Sequence, residues 1–373
     1  MRYPGGVLRI DKEASERLVR RAVEGGVNYF DTAYIYPGSE EATGEILERL
    51  GVRDQVYIAT KLPHAEVASR ADFDKFFNEQ KRRLRTDRID YYLMHNFGEL
   101  AQWQRLRALG IEEWLAARQA DGGIGQVGFS FHGTYGEFEK LVDAYDWDFI
   151  QIQYNYVNTN YQAGERGLRY AAAKGLPVVV MEPLLGGKLA VLPERAEAAR
   201  AELFPDTSSA ALALRWLWNQ PEVTVVLSGM NTAAQLEQNL ALAAEALPGT
   251  FTAAEQDAVR AVVKEFSKSD KIPCTGCNYC LPCPKKINIP GCFAAYNASY
   301  AIGRAGGIKQ YVLSTGAMGG SPHLASSCIQ CGVCENRCPQ HIEIRNNLKC
   351  VKRRLQIPGL KVIAFLRKKL RIQ

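Results

Sequence analysis

Short apolar or β-branched runs recur along the first 270 residues, at 27–33, 56–60, 89–94, 126–130, 149–154, 177–181 and 223–227. Runs of this kind predict strands buried on both faces. Between them, apolar positions fall at helical spacing over 12–24, 71–85, 111–120, 134–145, 162–174, 208–219 and 232–242. Gly25-Gly26, Gly122-Gly123 and Gly175-Leu176-Pro177 mark joints between elements. Strand–helix repeats with right-handed crossovers build a parallel sheet. Seven strands in about 250 residues predict an α/β fold, a (β/α)8 TIM barrel. Residues 1–3 are too few for a full first strand, so that strand is expected to be short or missing.

Six of the seven predicted strands end on or near a polar residue. Asp31, Lys61, His95, Ser130 and Glu182 close five of them, and Gln153 lies near the end of another. In a barrel of this type the C-terminal strand ends converge on one mouth, where active sites form. Strands often end on polar residues because loops begin there, but six in order, with a Lys and a His among them, point to a site. Tyr36 follows Asp31 by five residues. An ordinary Tyr is a poor acid at pH 7, and a nearby ammonium favours its phenolate. Lys61 is placed to supply that charge, Asp31 to orient the Lys, and His95 to hydrogen-bond a carbonyl oxygen. This set is suited to protonating a carbonyl while a hydride reaches the carbon. It contains no activated Ser or Cys nucleophile, which argues against acyl transfer.

Composition narrows the picture further. The chain has 373 residues, 47% apolar and 23% charged, which excludes disorder, collagen and coiled coil as the main architecture. No apolar run has the length of a membrane span, and the N-terminus lacks an apolar signal core, so no transmembrane segment and a cytoplasmic location are expected. The net charge is +6, but residues 349–373 hold nine Lys or Arg and no acid. Residues 1–348 therefore sum to −3, and a nucleic-acid-binding core is not expected.

All ten cysteines lie between Cys274 and Cys350. That step predicts a boundary, with a barrel over 1–267, a cysteine module over 268–348 and a basic tail over 349–373. Residues 274–284 read CTGCNYCLPCP and residues 328–339 read CIQCGVCENRCP. The second run has the C-x2-C-x2-C-x3-C-P spacing of two-cluster iron–sulfur proteins, and the first is one residue shorter in its last gap. Three thiolates on a tight loop reach three irons of one cubane, and the fourth, before a Pro, serves the other cluster. One [4Fe–4S] cluster is accordingly assigned to Cys274, Cys277, Cys280 and Cys338, the other to Cys328, Cys331, Cys334 and Cys283. Zinc usually takes separated C-x2-C pairs and fits these runs poorly. Disulfides are a weaker alternative in a reducing compartment. Cys292 and Cys350 lie outside both runs and read as core or surface thiols.

The segments FDTAYIYPGSE (30–40), IATK (58–61) and YLMHN (92–96) resemble the aldo-keto reductases, as do GFSFHG, QIQYNY, VVMEPLLGGKL and VVLSGMNTAAQLEQNL further along. The resemblance maps that family's catalytic Asp, Tyr, Lys and His onto Asp31, Tyr36, Lys61 and His95. It implies a (β/α)8 barrel, carbonyl reduction and a nicotinamide cofactor, NADP(H) or NAD(H), with Ser130, Gln153, Glu182, Ser228, Gln235 and Asn239 as its expected contacts. The chain departs from the family in several places. It begins where the family's first strand would end, Phe131 follows Ser130 where Asn is usual, and Met181 stands where a Tyr usually stacks on nicotinamide. Gly229 and Gln235 align with the usual 2′-phosphate-binding Lys and Arg. The cysteine module resembles two-cluster bacterial ferredoxins, and the whole chain resembles a subgroup of aldo-keto reductases ending in such a domain. Helices and a Gly-rich loop (303–307, 316–320) are expected between the cysteine runs. The tail from Lys352 interleaves Val362, Ile363, Phe365, Leu366, Leu370 and Ile372 with Lys and Arg. It reads either as a helix laid on the protein body or as a contact with a membrane surface or acidic partner.

Three functions are compatible with this reading. The first is an oxidoreductase acting on a small-molecule carbonyl or alcohol, with clusters that pass electrons to an external carrier. The second is an electron-transfer protein whose barrel is a docking or sensing scaffold. In the third, the clusters only hold the C-terminal fold together.

Overall fold

The computed structural model describes residues 3–5, 10–315 and 323–357. In chain order these form α1 (Lys12–Glu24), β1 (Tyr29–Asp31), α2 (Ser39–Leu50), β2 (Tyr57–Leu62), α3 (Ala71–Leu84), β3 (Ile89–Phe97), α4 (Leu100–Ala108), α5 (Ile111–Ala120), β4 (Ile124–Phe131), α6 (Tyr135–Val142), β5 (Phe149–Gln153), α7 (Gly164–Ala173) and β6 (Val178–Met181). There follow α8 (Glu194–Leu203), α9 (Ser209–Trp218), β7 (Val223–Val226), α10 (Ala233–Glu245), α11 (Ala253–Ser269), α12 (Ile289–Ala301), α13 (Gly303–Ser314), α14 (Val333–Asn336) and α15 (Ile344–Leu355). The chain divides into two compact units, one of Met1–Pro183 with Leu214–Phe251, the other of Leu184–Ala213 with Thr252–Gln373.

The first unit is a curled, all-parallel sheet whose seven strands lie in sequence order. All seven expected strands are present. Tyr3 and the other described residues before α1 form no strand, so the sheet runs from β1 to β7 among the described residues. Strand parity fixes which side chains face inward. Ala59, Leu93, Phe149 and Val179 pack together with Tyr29, Tyr91, Val225 and Leu227 inside the curl. Two residues further along each strand, the same face carries Asp31, Lys61, His95, Gln151 and Met181. Alternation thus turns an apolar interior layer into a polar rim at the C-terminal ends. The opposite face packs on the helices through a larger core that includes Phe77, Tyr92, Trp103, Trp114 and Phe129.

Helix α2 was not anticipated by the pattern of the sequence. Gly38 (φ 68°) breaks the chain just before it, and α2 lies so close to α3 that a Cβ on Gly44 would sit 2.5 Å from the Arg83 carbonyl oxygen. This close approach brings Glu40 to the outer side of β2.

In the second unit a core of Ile287, Ile289, Phe293, Tyr311, Leu324, Leu348 and Val351 is built around the cysteine runs. The glycines at 303–307, expected in a loop, instead open helix α13. Residues 316–322 and the tail from 358 lie outside the described residues.

Candidate active site and cysteine cavities

The Lys61 ammonium donates to Asp31 Oδ2 at 2.6 Å and to the Thr32 carbonyl at 2.7 Å. Its side chain is only 1% exposed, against 14% for Asp31. An ammonium with so little water is held by these two acceptors. Above it, Tyr36 lies with its ring centroid 5.6 Å from the Lys61 nitrogen. The His95 ring meets Tyr36 edge-on, with centroids 5.9 Å apart and planes at 84°. The four residues expected to carry the chemistry therefore meet at one point, from β1, the loop after it, β2 and β3.

Burial lowers the His95 pKa well below its ordinary value, and the Lys61 cation, His132 and His64 push it the same way. At neutral pH the imidazole is uncharged, so it can share a proton with an oxygen without adding charge to the site. The backbone at this point is irregular. The register of β3 against β4 shifts between Met94 and Phe97, and Asn96 has φ 62°. Such irregularities re-aim side chains next to sites. Ser130 Oγ, on β4, accepts the Asn96 N–H at 2.8 Å and pins this segment.

Gln153 ends β5 in register with Met181, and Gln151 donates to the Met181 sulfur at 3.4 Å. Glu182 has φ 57°, and its carbonyl accepts Asn155 Nδ2 at 3.1 Å. Ser228, Gln235 and Asn239 form a second group around the loop after β7. Asn239 donates to Ser228 Oγ at 3.0 Å, and Gln235 accepts the Asn231 N–H at 3.0 Å. Thr232 caps α10. This loop, 228–235, contains no Lys, Arg or His.

Sequence reasoning missed the polar cluster behind Lys61. Glu40 is fully buried and accepts from Thr60 (2.6 Å), Gln80 (3.1 Å) and Arg83 (3.2 Å). Gln80 also donates to the Lys61 carbonyl at 3.0 Å and accepts from Tyr92 at 2.9 Å. Burial raises the Glu40 pKa against the pull of these donors. The sequence offered no clean signal, since the buried face of α2 mixes Ser39, Glu40 and Thr43 with Ala42, Ile46 and Leu47. His64, after β2, and His132, after β4, were also missed. Both are buried beside His95, where a loop histidine gives no periodic signal.

In the second unit the cysteines surround two cavities. One is lined by Cys274, Cys277, Cys280 and Cys338. The other is lined by Cys283, Cys328, Cys331 and Cys334, with Cys280 also at its wall. Among the described residues, no three His, Cys, Asp or Glu side chains are grouped tightly enough for a single metal ion. A lone zinc would draw its sulfurs to within about 2.3 Å of one point. Four thiols ranged around each cavity, rather than gathered on one point, fit a larger inorganic group.

The two loops share a backbone pattern. Gly276 and Asn278 in the first run, and Gln330 and Gly332 in the second, all have positive φ, between 61° and 79°. Alternating left-handed residues turn successive N–H groups inward, a geometry suited to anions and iron–sulfur groups. The Gln330 N–H points at Cys328 Sγ (3.5 Å). Burial raises the thiol pKa values of Cys274, Cys280, Cys334 and Cys338, so thiolates there need a cationic centre to hold them. Cys292 is fully buried in α12, and burial raises its pKa to about 12. Two further contacts brace the first loop. Asp270 accepts from Lys188 and Asn297, both at 2.6 Å, and a Cβ on Gly186 (φ 67°) would sit 2.2 Å from the Thr275 carbonyl oxygen.

Comparison with known proteins agrees with both halves. Residues 273–343 match a 4Fe-4S dicluster domain. An oxidoreductase of Schizosaccharomyces pombe is 27% identical over 238 residues, spanning 62% of this chain and 74% of that protein. Methylglyoxal reductase YeaE of Escherichia coli is 27% identical over 263 residues, spanning 64% and 83%. A solved aldo-keto reductase of Bacillus halodurans, in its holo form, superposes with a TM-score of 0.56 at 24% identity and covers 69% of this chain and 89% of that one, a likeness of fold. Residues 1–255, more than half of the chain, match the aldo/keto reductase family, so the chain belongs to it, as an oxidoreductase with an added iron–sulfur domain.

Proposed function

We propose that the protein interconverts a small-molecule carbonyl and its alcohol with a nicotinamide cofactor, and exchanges single electrons through two [4Fe–4S] clusters. The observation that carries the first half is the buried Asp31–Lys61 pair set under Tyr36 and beside neutral His95. Tyr36 is the proton donor to the carbonyl oxygen. Lys61 faces the phenol and stabilises the negative charge left on it, Asp31 holds the Lys, and His95 orients the oxygen.

The residues at the mouth fit a carboxamide. Gln151 Oε1 and Asn96 Oδ1 are buried without a hydrogen-bond partner, and buried polar atoms in that state call for a polar guest. Ser130 and Gln153 flank them, with Glu182 at the next strand end. When bound, NADP(H) or NAD(H) supplies the hydride. Ser228, Gln235 and Asn239 shape the loop ahead of α10, whose N-terminal N–H groups suit a phosphate. With no cation in 228–235, the choice between the two nucleotides falls to a titration.

The cysteine cavities support clusters held by Cys274, Cys277, Cys280 and Cys338, and by Cys283, Cys328, Cys331 and Cys334. When present, the clusters take up one electron at a time, so two of them match the two electrons of a hydride. The proposed layout is a barrel over 1–267, a ferredoxin-type module over 268–348 and a basic tail over 349–373. Eight thiolate ligands suit the reducing cytoplasm.

A second reading, in which the barrel is a scaffold without turnover, is favoured by the loop at 228–235, which lacks basic residues. Anaerobic titration of the reconstituted protein with NADPH and NADH separates the two. Saturable quenching with cluster bleaching supports the enzyme, and a Tyr36→Phe variant should then bind nucleotide normally but lose carbonyl turnover by about 10²-fold or more. Unchanged turnover in that variant refutes the role of Tyr36. Absence of nucleotide binding with intact clusters favours the scaffold.

A further inference from the structure

The cysteine module is strongly basic. Residues 268–348 hold eight Lys or Arg against three acids, Asp270, Glu335 and Glu343, a net charge of +5, and residues 349–357 add four more Lys or Arg and no acid. Glu335 is already paired with Arg345 at 2.6 Å.

At the cavity of Cys283, Cys328, Cys331 and Cys334, this charge coincides with exposed apolar surface. Cys331 is exposed. Ile329 and Val333, two residues to either side, are 56% and 37% exposed. Lys285 and Arg345 line the same cavity. Lys349, exposed, lies one turn beyond Arg345 on α15. The other cavity is different, since its large apolar wall residues, Ile289, Phe293, Ile342 and Ile344, are all buried. One of the two thiol sets thus opens onto an apolar centre with a charged rim, which is the anatomy of a protein interface. Electron-transfer encounters bury little area and lean on charge to steer the approach.

We propose that the face centred on Ile329, Cys331 and Val333 docks an acidic one-electron carrier protein of the ferredoxin class. The inference rests on the reading that the module holds redox-active clusters. Each encounter moves one electron, the carrier losing or gaining what the module gains or loses, with no bond made and no proton moved. A nucleic acid would answer to the positive charge but not to the apolar pair, and a lipid surface, which answers to both, is separated by the vesicle arm of the test.

The test uses the full chain with reconstituted clusters and, as probe, a purified acidic bacterial-type ferredoxin. Equilibrium binding is read by surface plasmon resonance and cluster reduction by stopped-flow absorbance, both across a range of salt. Wild-type binding and rate should fall steeply as salt rises. Lys285→Glu with Lys349→Glu should weaken both by about 10-fold or more at low salt, and Lys285→Arg with Lys349→Arg should restore them. Photoreduction by neutral deazaflavin should bleach all three proteins equally, which shows that their clusters are intact. Salt-independent ferredoxin binding, or a charge-reversed variant that binds and reacts like wild type, overturns the docking face and leaves the redox reading standing. So does binding to anionic phosphatidylglycerol vesicles without binding to ferredoxin. If deazaflavin fails to bleach the wild type, the redox reading itself falls, and this inference with it.

Discussion

His64 allows the electrostatics of the barrel mouth to be tested through stability. Its ring packs edge-on against Phe97, with centroids 4.9 Å apart. Burial lowers its pKa to about 4, and the Arg105 guanidinium adds to this, against a hydrogen bond to the Asn96 backbone. The unfolded chain holds the ordinary value near 6.5. Between these values the unfolded state binds more protons than the folded one, so stability rises with pH across that window. The contribution is fully present above about pH 6.5 and is lost as pH falls towards 4. The full depression corresponds to about 3 kcal/mol, of which about 2 kcal/mol is lost by pH 5. The assay is urea unfolding at pH 7.5 and pH 5.0, followed by tryptophan fluorescence. All five tryptophans (Trp103, Trp114, Trp147, Trp216 and Trp218) lie in the barrel unit, so the signal reports on it alone. His95 and Glu40 also titrate abnormally, but they are common to the wild type and a His64→Gln variant. The wild type should lose about 2 kcal/mol more than the variant between the two pH values. Equal losses would refute a buried, neutral His64.

Three further outcomes are expected. Glu40→Ala strips acceptors from Thr60, Gln80 and Arg83 and should cost the barrel about 3–5 kcal/mol in urea unfolding. Glu40→Gln should keep most of the stability. Because the Glu40 carboxyl titrates above its usual value, its own contribution declines as pH rises past about 4.5, and the Gln variant should lack that slope. Gly186→Ala sets a Cβ against the Thr275 carbonyl and should lower iron per chain after anaerobic reconstitution, whereas Gly249→Ala, at a positive φ in open space, should leave it unchanged. Cys334→Ser should lose about four irons per chain while Cys292→Ser retains all of them, and the reverse result would reassign the ligands.

Much of the barrel was legible because strands buried on both faces leave short apolar runs, and all seven runs became strands. Helix α2 was not, because its apolar face is interrupted by Glu40 and Thr43, whose burial makes sense only with Thr60, Gln80 and Arg83 around them. The Gly303–Gly307 segment misled in the opposite direction. Glycine usually weakens a helix, but here packing overrides it, and Gly307 sits so close to Ser299 that a Cβ would come within 2.4 Å of it.

The sequence by itself determined the order of strands and helices, the four residue types at the strand ends and the two cysteine spacings, because these are local patterns with a fixed period. The strand ends and the cysteine spacing already led to one shared mouth and to an exchange of Cys283 and Cys338 between the two runs; only the tertiary structure set the distances among Asp31, Tyr36, Lys61 and His95 and put a buried polar cluster behind Lys61. It also grouped α8 and α11, which lie among or beside the barrel's elements in sequence, with the cysteine module. Each of these depends on contacts between residues tens of positions apart. No local period records such contacts, and burial, not spacing, sets their energy.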